Sequence, residues 1–435
     1  MGAPAHRRGR LGVFDGFRAF ALLGVVAFHI FGASGVIAAG RDDLVARTIW
    51  TLLGNTIDFF FIVSGFLLFL PVLRRGGEFG SVRNFYLRRL ARIQPEYWLS
   101  LAVVLAMIVL IPVDFPPPVP SLGSIVIHVL DLQMIVRMFD PDFLVGFWIN
   151  GALWMIPVIV GLYLVLPLVS GFFFRHIWWG LGLAAAVTVA WKLAVTSFPG
   201  ALQRLSGWEF TDLQVQLIAI DQSPAYAFSF ALGMVAATLY LRAESHPGSD
   251  WVRRGVPLGG ALAVLVYLIA SSPYYEAALG SATGFDGGSR GRLLIWENLA
   301  GSASRAMLLL AVTLGPLWIR RVFDNRGARW TAEQSYGIYL IHLPVAFYAA
   351  QLLDLGDDGG LLNFLAWSAV ILPIGFAYAW VSRRSVGEPA VEWVRRSIRT
   401  RSNAVPADGR PCGAATGPER RPELRYLDRP RDREQ

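Results

Sequence analysis

Three ionisable side chains, Arg18, His29 and Asp58, stand in otherwise apolar runs, FDGFRAFALLGVVAFHIFGASG at 14–35 and TIWTLLGNTIDFFFIVSGFLLFL at 48–70. At about 100° per residue, the spacing of Arg18 and His29 puts both on one face of a helix, about 16 Å apart along its axis. Asp15 precedes Arg18 by one turn, a spacing that permits an ion pair. His29 and Asp58 fall at similar distances from the same ends of two oppositely directed runs, so the two can meet at one depth. An ionisable group within hydrocarbon normally faces protein or a water-filled cavity and has a partner. A carboxylate beside an imidazole holds its tautomer and stabilises the imidazolium, which is what a general base requires. His29 is therefore the expected base and Asp58 its orienting partner. The competing reading is a hydrogen bond that only ties two helices together.

Arg88, Arg89 and Arg92 form a second group, just before the third apolar run. A guanidinium is always charged and its planar fork suits phosphate, although a basic loop also follows from membrane topology alone. Glu297 and Arg305, eight residues apart, share a helix face and are expected to line one cavity. Ser64 reads as a small packing residue, and no G-x-S-x-G nucleophile elbow is present.

These residues need a bilayer-embedded frame. Only 16% of the 435 residues are charged and 54% are hydrophobic, whereas soluble chains carry about 25% charge. Runs of about 20 apolar residues recur. They predict an all-α polytopic membrane helix bundle of about ten transmembrane helices, at about 14–38, 48–72, 96–112, 153–173, 177–195, 222–241, 255–273, 293–318, 335–353 and 361–382. The run SLGSIVIHVLDLQMIVR at 121–137 is shorter and charged, and is expected to be interfacial or partly inserted. With both termini cytoplasmic, the inside loops hold 17 arginines and the outside loops 6, as the positive-inside rule requires. An eleventh span would invert that bias.

The division is a cytoplasmic N-terminus at 1–13, a membrane domain at 14–393 and an Arg/Pro/Gly-rich tail at 394–435, expected to be disordered. The net charge of +8 lies in loops and tail, so nucleic acid is not the expected partner; the lipid bilayer of the cell membrane is. Lys192 is the only lysine among the 39 basic residues, and the single Cys412 excludes an intramolecular disulfide and a cysteine metal cluster.

Several segments carry a family resemblance. FDGFRAFALLGVVAFH at 14–29 resembles the opening of the acyltransferase-3 family of integral-membrane O-acyltransferases, and Arg18 and His29 fit its Arg-x10-His motif. DFFFIVSGFLL at 58–68 looks like the second-helix signature, and FYLRRLARIQPEYW at 85–98 is similar to the third element, with Arg89 and Arg92 as its Arg-x-x-Arg pair. SYGIYLIHLP at 335–344 and GEP at 387–389 resemble the last two. In LWMIPVIVGLYLVLP at 153–167, Trp154, Tyr163 and Pro167 fit, but the family's acidic position falls on Ile159 or Val160. The soluble hydrolase-like domain that some relatives carry is not expected, because the tail is too short for one.

The resemblance implies transfer of an acyl group, acetyl in the expected case, from acyl-CoA to a hydroxyl of a sugar, glycolipid or glycosylated small molecule. Acyl-CoA is then a co-substrate, with no resident cofactor and no metal. Arg18, Arg88, Arg89 and Arg92 are the expected donor-binding residues, and Glu297, Arg305, His342 and Trp154 the expected substrate-binding residues. His342 either meets the donor thioester or packs and bonds a carbonyl. The alternatives are a transporter or flippase and a catalytically silent relative that only binds its substrate.

Overall fold

A computed structural model describes residues 6–35, 56–139, 148–198, 221–281, 297–357 and 359–404, with isolated positions between them. The described residues are helical and contain no strand. Helix α1 (His6–Ala33) is followed by α2 (Asp58–Arg74) and α3 (Val82–Leu110). Two short helices, α4 (Leu122–Val129) and α5 (Gln133–Val136), precede a 3-10 turn at Trp148–Trp154. Then come α6 (Met155–Arg175), α7 (Ile177–Ser197), α8 (Ala227–Ser245) and α9 (Val256–Ser281). The last group is α10 (Ser302–Leu314), α11 (Leu317–Phe323), α12 (Arg326–Leu352), α13 (Gly360–Ser382) and α14 (Glu388–Ala404).

Among the described residues, 7 helices are long and apolar enough to cross a bilayer. The second, eighth and ninth of the expected spans account for the difference from ten. α2 has 17 residues, and half of the remainder of its 48–72 run lies outside the described residues. The expected eighth and ninth spans form a pair bent by 117° between Leu314 and Leu317, which raises the count to 8 if taken as one broken span.

Helix starts follow side-chain chemistry. Ser81 accepts from the Asn84 amide at the head of α3, and Asn325 does so from Ala328 at the head of α12. Packing then follows residue size. A methyl group added at Gly65 would stand 2.1 Å from the Phe230 carbonyl oxygen, and one at Gly233 would stand 2.0 Å from that of Ile62. Two glycines thus let α2 and α8 cross backbone to backbone, the small-residue contact that replaces hydrophobic driving force in lipid. Lys192 is buried on α7, within electrostatic range of Asp221.

The 121–137 segment packs against α3. Tyr97 and Trp98, near the middle of α3, donate hydrogen bonds to the carbonyls of His128 and Val129 at 3.0 Å each. The end of α4 therefore meets the middle of α3. The chain reverses at Asp131, which holds a left-handed φ of 57° that aspartate tolerates better than most residues. The Gln94 amide donates to the Asp131 carboxylate.

α14 corrects the expected boundary. Residues 394–404, assigned to a disordered tail, continue the helix that starts at Glu388, and Val394 is buried. Val391, Val394 and Ile398 recur at helical spacing and line a cavity between α14 and α3. Residues 405–435 lie outside the described residues.

Candidate active site

α1 packs along α12, and this contact brings together two histidines 313 residues apart in the chain. His342 Nε2 lies 2.9 Å from His29 Nδ1, and His342 Nδ1 lies 2.8 Å from the Tyr339 carbonyl oxygen. A carbonyl oxygen can only accept, so the hydrogen-bond network assigns the proton of neutral His342 to Nδ1. Its Nε2 is then bare and accepts from His29 Nδ1–H. That leaves the lone pair of His29 on Nε2. The arrangement delivers one imidazole nitrogen as a proton acceptor, with the ring held from behind by a second imidazole. His342 is 1% exposed, whereas His29 is half-buried. Of the two, His29 is the more exposed.

Asp58 is not the partner of His29. It heads α2 and is 2% exposed, and its carboxylate meets Arg305 Nη1 at 3.2 Å. Ser229 donates to it at 3.1 Å, and Ser302 donates to its other oxygen. Arg305 is fully buried, with its guanidinium 5.3 Å from the centre of the Tyr267 ring. The physical reason is charge balance. A buried carboxylate is best neutralised by a permanent cation, which arginine is and a neutral imidazole is not. His342 occupies the orienting place expected of Asp58.

A cavity of about 620 Å³ lies beside this pair. Besides the 153–167 run, each of the other five segments quoted for the family resemblance contributes to its wall. The first gives Arg18, the second Ser64 and the third Arg89, Arg92 and Glu96. The fourth gives Tyr336 and Tyr339, and the fifth Gly387 and Glu388. Neither imidazole lines the cavity. Tyr339 does line it, and its ring centre is 5.8 Å from that of His342. Arg18 pairs with Asp15 at 3.8 Å, as the sequence spacing predicts. Arg89 lies 5.9 Å over the Tyr163 ring, and Tyr163 donates to Ser64 at 3.4 Å. Ile159, one of the two positions on which the family's acidic site falls, lines the cavity.

The remaining expected residues divide. Arg88 lines a neighbouring cavity instead. Trp154 stacks on Tyr226 at 5.6 Å and Arg305 is taken up by Asp58, so neither lines the cavity expected of it. The backbone of Glu297 opens a short π-turn, Glu297–Gly301, and its side chain lies outside the described residues.

Sequence reasoning missed three contributors. Glu96 is buried and accepts a hydrogen bond from Ser382 at 3.3 Å. Arg383 bridges Glu333 at 2.7 Å and Glu388 at 2.9 Å. Arg395 reaches the cavity from α14. The spacing of Glu96 one turn after Arg92 was a usable signal for the first of these.

The model of the acyltransferase-3 family, described as an acyltransferase domain, matches residues 12–384. No curated protein and no solved structure matches the chain.

Proposed function

This chain belongs to the acyltransferase-3 family, and on that footing we propose that it moves an acyl group, acetyl in the simplest case, from acyl-CoA to a hydroxyl of a sugar, glycolipid or glycosylated small molecule. It is an acyltransferase of the multi-pass membrane class. The observation that carries the finer reading is the convergence of the resembling segments on one cavity with Arg18, Arg89 and Arg92 in its wall, next to the His29–His342 pair.

In the proposed reaction the donor enters from the cytoplasmic end, where the arginines lie, with its phosphates on guanidiniums. The acceptor hydroxyl attacks the thioester carbonyl carbon while His29 Nε2 takes its proton. The carbon–sulfur bond breaks and the thiolate leaves, taking a proton in turn. His342 is a positioning residue that holds the His29 ring. No enzyme nucleophile is required, and Ser64 stays a packing and hydrogen-bonding residue. Met155, Ile156 and Ile159 make one wall of the cavity apolar, which suits the acyl and pantetheine portions of the donor.

Membranes holding the chain, supplied with labelled acetyl-CoA and hydroxyl acceptors, should form alkali-labile labelled esters. Arg89→Ala with Arg92→Ala should raise the KM for acetyl-CoA by about tenfold or more, since each charged hydrogen bond is worth about 1.5–3 kcal/mol. If only the acceptor KM moved, the phosphate assignment would be wrong. Accumulation of unmodified acceptor across the membrane, without ester, would replace transfer by transport.

A further inference from the structure

A second cavity, of about 370 Å³, lies between α3 and α14. Five arginines line it: Arg88, Arg89 and Arg92 from α3, and Arg395 and Arg399 from α14. Among the described residues, the rest of its wall is Ala91, Val391, Val394 and Ile398, with no acidic side chain. Among the described residues, none of these five guanidiniums is in an ion pair, although Arg396 on the same helix pairs with Glu392 at 3.1 Å. The Nε of Arg89 is buried without a hydrogen-bond partner. Like charges gathered on two helices repel one another unless an anion lies between them. Arg89, Arg92 and Arg395 also line the larger cavity, so the two spaces share a wall.

We propose that this smaller cavity is a phosphate subsite for the end of the acyl donor remote from its thioester, and that α14 supplies half of it through Arg395 and Arg399. The inference rests on the acyl-transfer reading above and deepens it. An extended donor with its acyl end beside Tyr339 carries its nucleotide phosphates towards the shared arginines. A phosphomonoester, a dianion with three acceptor oxygens, then meets guanidiniums from two sides. Arg395 and Arg399 lie beyond the 12–384 family match, so this half of the subsite belongs to the α14 extension of this chain. The apolar stripe of α14 holds the helix against α3 and fixes where its arginines sit.

The same five-arginine chemistry also suits an anionic lipid headgroup, and the test separates the two. The full chain in phosphatidylcholine nanodiscs is titrated calorimetrically with adenosine 3′,5′-bisphosphate, which has phosphates but no thioester. Arg395→Ala with Arg399→Ala should weaken its Kd by about tenfold or more. The corresponding pair of lysine substitutions should weaken it less, since charge is kept and the bidentate fork is lost. Arg396→Ala should leave it unchanged. Equal affinity in the wild type and the double alanine variant overturns the subsite. So does the absence of probe binding together with retention of phosphatidylglycerol by the wild type and not by the variant, which assigns the cavity to lipid. His29→Ala should bind the probe like the wild type. If the wild type makes no ester yet binds the probe and the double variant does not, the transfer reading fails and the subsite stands. If the wild type makes ester and the double variant binds the probe unchanged, the subsite fails alone.

Discussion

Replacing His29 with alanine is expected to lower the rate of acyl transfer by about 10²–10⁴-fold, the usual loss on removing a general base. His29 Nε2 is the nitrogen left with a free lone pair once His342 Nδ1 donates to the Tyr339 carbonyl and His342 Nε2 accepts from His29. The loss should appear in kcat, with the donor KM little changed, because the arginines that would hold phosphate line a cavity the imidazoles do not. His342→Ala should cost less. His29 then keeps its lone pair but loses the partner that fixes its tautomer and ring position. A graded pair of effects, with folded yield equal to wild type by size-exclusion chromatography in detergent, is the signature of base and positioning residue. Undiminished transfer by His29→Ala would remove the base assignment.

The largest effect on folding is expected at Arg305. Removing one partner of a buried ion pair typically costs about 3–5 kcal/mol, because the other charge is left buried and uncompensated. Arg305→Ala strands the Asp58 carboxylate between Ser229 and Ser302 at 2% exposure. A loss of that size is a large fraction of the stability of a folded domain, about 5–15 kcal/mol. The variant should therefore be recovered in low yield, with a depressed thermal midpoint. Asp58→Asn combined with Arg305→Met removes both charges and should recover much of the loss. The recovered protein should still transfer acyl groups, since neither residue touches the imidazole pair. A double variant that folds like the wild type but is inactive would return Asp58 to the chemistry.

The contrast between these two sites shows what the sequence carries. Apolar run length placed the helices, and the eleven-residue spacing in α1 set the depth of His29 below Arg18. Periodicity gives a residue its face and depth but not the helix that abuts it. Asp58 and Arg305 are 247 residues apart, and nothing local to either names the other. His342 was recognisable as a histidine within a span, yet its bond to His29 depends on how α1 packs along α12. The family resemblance carried further: its separate segments turned out to wall one cavity. α14 was lost for a different reason. Its arginines dominate any composition window and read as a solvated tail, while the stripe of Val391, Val394 and Ile398 that docks it is only three residues wide.

Arginine in place of lysine has a chemical consequence at such a site. Thioesters acylate free amines without any catalyst, and lysine is the side chain that suffers this. A guanidinium stays protonated and is not a nucleophile at neutral pH. The basic residues lining the two cavities are all arginines, and the single lysine, Lys192, is buried on α7 and lines neither. On the proposed reading, an acyl donor held against these guanidiniums would not label the protein.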